Sequence, residues 1–168
     1  MSIGIFYGSN GGVTEKVAEM IKDKLGLEAT LHDISDVNME KFDAYSHIII
    51  GTSTWGDGEL QDDWDDAFSD FETVSFAGKT LAFFGLGDQE GYEDNFVDGM
   101  GILYNAAINN GAFVVGDGWS TKGYDFDESV AVVDNEFVGL AIDEDNQDDL
   151  TEERIEKWVE IIKPSMSA

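Results

Sequence analysis

Three short segments carry the residues whose types and spacing could do chemistry. The first is Ser9-Asn10-Gly11-Gly12-Val13-Thr14. Two adjacent glycines let another molecule approach the backbone closely. Free N–H groups at a helix start, together with the Ser9 and Thr14 hydroxyls, would hold a phosphate. The segment is not a P-loop, because the Gly-Lys-Ser/Thr ending is absent. It is not a dinucleotide fingerprint either, because Gly-x-Gly-x-x-Gly cannot be laid on it. With no Lys or Arg in the loop, neutral donors alone would carry a dianion. Taken by themselves, the same residues also read as a tight turn with a Ser or Thr cap.

The second segment, Thr52-Ser53-Thr54-Trp55-Gly56-Asp57-Gly58, puts an indole on a loop, with glycines on either side of Asp57 that ease backbone change. Such an aromatic either packs on its own domain or covers a flat ligand. The third, Gly85 to Tyr92, again pairs glycines with an aromatic and includes Gly87 and Asp88. A phosphate cradle with two aromatics describes a phosphorylated compound with a planar ring. Flavin mononucleotide fits better than a dinucleotide, which would need a second cradle.

These segments must be positioned by regular elements, and the hydropathy pattern supplies them. Ile3–Tyr7, Ala29–Ile34, the β-branched Ile48-Ile49-Ile50, Leu81–Leu86, Phe113–Val115 and Val138–Ile142 read as strands. Val17, Met20, Ile21 and Leu25 recur at helical spacing before Gly26. Leu60, Trp64, Phe68 and Phe71 mark a second helix face, and Phe96, Met100, Leu103 and Ile108 a third, ending near Gly111. Thr151-Glu152-Glu153 opens the last helix with acids where the helix dipole favours them, and Pro164 is expected just after its end. Strands too apolar for a one-faced sheet, separated by helices, predict one α/β domain with a doubly wound parallel sheet. In that architecture all three loops emerge at the carboxyl edge, where ligands bind.

Composition narrows the function classes. The chain of 168 residues has 36 Asp+Glu against 9 Lys+Arg, a formal net charge of −27. Nucleic acid and anionic membranes would be repelled. A 42% apolar content with 11 Phe, 5 Tyr and 4 Trp argues against disorder. An acidic surface that merely holds water and salt, as in halophiles, is the alternative use of the charge. There is no Cys, so disulfides and thiol chemistry are excluded. Met1–Phe6 lacks the features of a signal peptide and no apolar run approaches a membrane span, so the expected compartment is the cytoplasm.

The ordered set of motifs resembles the long-chain flavodoxins of cyanobacteria and nitrogen-fixing bacteria. It comprises Ile5–Thr14, Gly51–Leu60, Phe83–Tyr92, Gly123-Tyr124-Asp125-Phe126 and Phe137–Gln147. The resemblance implies a three-layer, five-stranded parallel sheet of order 2-1-3-4-5, with an insertion at about 120–136 splitting the last strand. It implies non-covalently bound FMN in a low-potential, one-electron carrier that shuttles between semiquinone and hydroquinone, with no substrate turnover of its own. Ser9, Gly12 and Thr14 match the family's phosphate loop, while Gly11 stands where the family usually has Thr. Trp55 and Tyr92 fall at the positions flanking the isoalloxazine ring. Asp88 corresponds to the acid near its pyrimidine edge, Asn95 to a neighbouring polar contact, and Asp145 to an acidic segment near the site. The Gly56–Asp57 peptide matches one that turns its carbonyl toward the ring.

Asp57, Glu59, Asp62, Asp63, Asp88, Glu90, Glu93 and Asp94 lie in or beside the proposed ring loops. Among them an anionic reduced flavin is disfavoured, which lowers its potential. The same carboxylates should meet basic patches on redox partners. By resemblance those partners are ferredoxin–NADP reductase, photosystem I or nitrogenase reductase, and the chain is a monomer. An FMN-dependent NAD(P)H:quinone reductase of the same fold is the alternative, although no Arg or Lys cluster suits a second phosphorylated ligand. A phosphorylatable receiver domain would need an acidic pair where Tyr7-Gly8-Ser9 stands. A calcium loop over Asp143–Arg154 fails, with Asp148 at the turn-glycine position and Arg154 at that of the bidentate Glu. His32 and His47 lack metal-type spacing and are expected in surface or packing roles, so no metal site is predicted.

Overall fold

The computed structural model describes residues 2–167. In chain order it comprises β1 (Ile3–Tyr7), α1 (Val13–Leu25), β2 (Ala29–Asp33), β3 (His47–Trp55), β4 (Glu59–Leu60), α2 (Asp62–Phe71), β5 (Thr80–Leu86) and α3 (Asp98–Asn109). There follow β6 (Phe113–Val114), β7 (Trp119–Ser120), β8 (Val132–Val133), β9 (Glu136–Phe137), β10 (Leu140–Ile142) and α4 (Thr151–Met166). The main sheet runs β2-β1-β3-β5-β10, all parallel, the expected order. Its last position is filled twice. β6 pairs with Thr80–Leu81 at the start of β5, and β10 pairs with Phe84–Leu86 at its end. The chain between them makes a small antiparallel sheet, β7-β9-β8.

Strand alternation explains the two-sided core. Ile48, Ile50, Leu81 and Phe83 face the layer that contains Trp64, Phe71, Met100 and Leu103. Their neighbours Ile49, Ala82 and Phe84 face α1 and α4 through Val17, Ile21, Ile155, Trp158 and Ile162. Both buried indoles find acceptors: Trp64 Nε1 donates to Gly51 O at 2.9 Å and Trp158 Nε1 to Gly116 O at 3.0 Å. This removes the cost of an unpaired donor in the core. Of the two roles expected for the histidines, surface or packing, both take the second. His32 stacks on Phe6 and hydrogen-bonds the Tyr45 hydroxyl at 2.7 Å, and burial lowers its pKa. His47 is buried against the Ser46 hydroxyl.

Several boundaries differ from the sequence expectation. Pro164 lies inside α4, in its final turn, where the missing N–H removes only one bond. β3 runs on to Trp55, and Leu60 belongs to β4, paired with Thr54, instead of starting a helix. α2 begins at Asp62, with the Gln61 side chain accepting from Trp64 N at 3.2 Å. Phe96 precedes α3 and is fully buried among Tyr124, Phe126 and Phe137 of the detour between β6 and β10. Ile108 is exposed.

Candidate functional site

The first loop leaves β1 and enters α1 through Gly11 and Gly12, at φ +80 and +87, a left-handed backbone that suits glycine. α1 has Gly12 at its N-cap and no side-chain cap, so its first N–H groups stay free, at the positive end of the helix dipole. The capped-turn reading of this loop is therefore not what forms. The Ser9 hydroxyl is buried and has no hydrogen-bond partner, and Thr14 is buried within the first turn of α1. Asn10 is a brace: its Oδ1 accepts from Gln61 Nε2 and its Nδ2 donates to Asp62 at 3.1 Å, tying the loop to α2. Below the loop, burial and then Glu15 push the Tyr7 phenol up to about 12.

The second loop is a hairpin. Trp55 pairs with Glu59, and Gly56 and Gly58 take φ 49 and 92 in the turn between them. Alternation along β3 sorts the side chains. Ser53 and Trp55 share one face, joined by an indole N–H donated to Ser53 Oγ at 3.0 Å. Thr52 and Thr54 point the other way. Thr52 is buried and bonds Ser53 O, and Thr54 Oγ1 accepts from Gly99 N at 2.8 Å, at the start of α3.

The third loop is folded around its own acid. Asp88 Oδ1 accepts from Gly91 N at 2.7 Å, Asn146 Nδ2 at 2.8 Å and Glu90 N at 3.1 Å. The Gly91 N–H and then the Asn146 amide hold this carboxyl below its usual range. Asp145 is displaced upward, by burial first and then by Asp88, Asp143 and Glu144. Asp88, Asp143 and Asp145 place carboxylate oxygens within 4.8 Å of one another. Both oxygens of the buried Asp143 are already taken by Gln89, Asp145 and Asn146 donors, so the trio reads as a hydrogen-bonded turn.

A cleft of ≈ 290 Å³ joins the three loops, bringing together Asn10, Val13, Thr14, Ser53, Trp55, Gly87, Asp88 and Asp145 of the predicted residues. Trp55 is 45% exposed on its wall. Ser9, Gly11 and Gly12 belong to the first loop but lie outside the lining, the two glycines exposed; Gly56, Asp57 and Gly58 form the hairpin turn, and Thr52 and Thr54 face away from Trp55. Tyr92, 46% exposed, stands outside the lining, its N–H bonded to Asp88 O. Asn95 packs against the hairpin turn at Gly58, where its amide bonds Asp98, and it lines an adjoining acidic cleft of ≈ 720 Å³ against residues 121–135. Leu86 and Glu144 line the loop cleft and were not anticipated. Their positions, at the last residue of β5 and beside Asp145, were the available signal.

Fold and cleft define a doubly wound α/β protein with its three-loop cleft at the carboxyl edge of its strands, the edge at which such sheets bind ligands. The flavodoxin family matches residues 5–158. The chain is 50% identical over 162 residues to a flavodoxin of Nostoc sp., covering 96% of this chain and 95% of the relative. It is 46% identical over 165 residues to flavodoxin 1 of Escherichia coli, covering 97% and 93%. The crystal structure of Fusobacterium nucleatum flavodoxin bound to flavin mononucleotide superimposes with a TM-score of 0.92 at 31% identity, covering 98% of both chains. This chain belongs to the flavodoxin family. Among the described residues, no helix is long and apolar enough to cross a membrane.

Proposed function

We propose that this protein holds flavin mononucleotide non-covalently in the three-loop cleft and carries single electrons between redox proteins in the cytoplasm. The observation that carries the reading is the buried, unpartnered Ser9 hydroxyl beside the uncapped start of α1. A native fold rarely leaves such a donor unpaired, and a phosphate oxygen is the partner it lacks. The flavin supplies the redox chemistry when bound. Ser9, Thr14 and the first N–H groups of α1 hold the phosphate, with Asn10 bracing the loop. Trp55 covers one face of the ring and Tyr92 the other, once the loop at Asp88–Tyr92 settles on it. Asn95 backs the hairpin turn at Gly58 and ties it to Asp98 at the start of α3.

The chain's own charges set the direction of tuning. Asp57, Glu59, Asp88 and Asp145 stand around the ring site, and carboxylates beside a ring that gains electrons oppose the added negative charge. They also make a docking rim for basic surfaces on donor and acceptor, of the kind a ferredoxin–NADP reductase, photosystem I or nitrogenase reductase would present. Such encounters are small and transient and suit a monomer. Titrating flavin-free protein with FMN and following flavin fluorescence tests the site. Saturable quenching at one equivalent is expected, and Trp55→Ala should weaken it roughly tenfold, the scale of one lost stacking contact. Graded reduction should then proceed in two separate one-electron steps. Steady NAD(P)H oxidation by the loaded protein alone would overturn the carrier reading in favour of a reductase.

A further inference from the structure

The detour between β6 and β10 and the start of α4 enclose another cleft, of ≈ 310 Å³, which shares no lining residue with the three-loop cleft. Its walls are Trp119, Tyr124 and Leu150, and three cations line it: Lys122, Arg154 and Lys157. The chain has only nine Lys and Arg against 36 acids, so this grouping runs against the composition of the whole surface. Arg154 is the unusual member, at 8% exposed. Its guanidinium lies 4.0 Å over the Tyr124 ring, and Nη2 donates to Gly123 O at 3.3 Å. Buried Nη1 has no partner.

Among the described residues the ion pairs are Lys24 with Glu152 and Glu156, and Lys157 with Glu153; Arg154 has none. Buried arginines are ordinarily paired, and an unpaired buried N–H carries the full desolvation cost of the donor. The cleft therefore has a fixed cation that lacks an anion. Glu153, the acid on its wall, is held by Lys157 at 2.9 Å. It makes no ion pair with Lys122 or Arg154, although the Arg154 charge lies close enough to favour its ionised form.

We propose that this cleft binds a small organic anion, a carboxylate on a flat apolar body. The carboxylate accepts from Arg154, with Lys122 and Lys157 closing over it, and the body lies between Trp119, Tyr124 and Leu150. A charge-assisted bond to guanidinium favours a carboxylate over a neutral amide. The apolar walls favour an organic ion over an inorganic one.

Benzoate is the probe, titrated into ¹⁵N-labelled protein with excess FMN so that the phosphate loop is filled; benzamide and inorganic phosphate are the controls. Benzoate should shift the Trp119 indole N–H and the Gly123 amide, with half-saturation on the order of 1 mM. Lys122→Gln combined with Lys157→Gln, both on exposed side chains, should weaken binding about tenfold. Glu153→Gln removes the acid from the wall and should tighten it severalfold, an effect of opposite sign that loss of folding does not imitate. The absence of a saturable shift at ten times the expected concentration overturns the proposal. So does an equal response to benzamide or phosphate, or a Glu153→Gln protein that binds no better.

Discussion

The phosphate loop and the Arg154 cleft are both shaped to accept negative charge, by opposite means. The loop offers a buried hydroxyl and uncapped N–H groups with no Lys or Arg, on a chain of net charge −27. The cleft concentrates three cations and keeps one of them nearly buried. Neutral donors fix geometry, and the helix dipole behind them adds a field that fades within a turn, so the loop chooses its ligand mainly by fit. Point charges reach as far as the Debye length, so the cleft attracts first and fits second. A protein this acidic needs neither device for solubility, which is why both read as sites.

The sharpest way to separate the two is Ser9→Ala. Losing one hydrogen bond to a charged oxygen costs about 2 kcal/mol, so FMN affinity should fall roughly 30-fold by fluorescence titration, with benzoate shifts at Trp119 unchanged. The flavin-free protein should melt no lower, because the deleted hydroxyl had no partner. Gly11→Ala strains a φ of +80 and should destabilise the flavin-free protein by about 1 kcal/mol in urea unfolding, leaving the Arg154 cleft intact.

Added salt should then move the two sites in opposite directions. Screening relieves the repulsion between the acidic chain and the FMN dianion, so stopped-flow association should quicken severalfold from low ionic strength to about 0.15 M. Benzoate binding should weaken over the same range. If both sites weaken together, the neutral-donor account of the loop is wrong.

The smallest effect concerns the acids beside the loop. Asp145 has a raised carboxyl, so its ionised form opposes folding at neutral pH, and Asp145→Asn should stabilise slightly there, an effect that solvent screening of this exposed residue keeps small. That gain should vanish as the pH falls below the carboxylate range, where the natural residue is already protonated in both states. Asp88 has the opposite sign. Its lowered carboxyl contributes stability above the unfolded pKa, and this is lost as the pH drops through the folded value.

The hydropathy pattern was enough to place every strand of the main sheet, the four helices and the three loops, because period and glycine punctuation are local properties. What it missed depends on distant partners. Nothing near Leu60 says that Thr54 will pair with it, and Phe96 carries the spacing of a helix face although Phe126 and Phe137 hold it outside the helix. Asn95 is named by resemblance alone, and its bond to Asp98 beside the Gly58 turn is not written in the local sequence. Ser9, Thr14 and Trp55 were legible as site residues from their types alone. That Ser9 would be buried without a partner was not, since an unmet hydrogen bond is visible only when every neighbour is in place. Arg154 drew notice in the sequence only as a misfit in a calcium loop, and its role beside Tyr124 needed the third dimension.

The divided last position of the sheet has a consequence of its own. β6 and β10 lie along the same edge of β5, so the chain leaves that strand position and later resumes it a few residues further along. The departure and return points are close in space, and neither shifts the register of the strands behind them. The excursion is nonetheless stitched to the site: Asp125 N donates to Gln89 Oε1, and Asp127 N and Glu128 N donate to Glu93 O. A change in the length or charge of the excursion would therefore be felt by the third loop while the main sheet stays as it is.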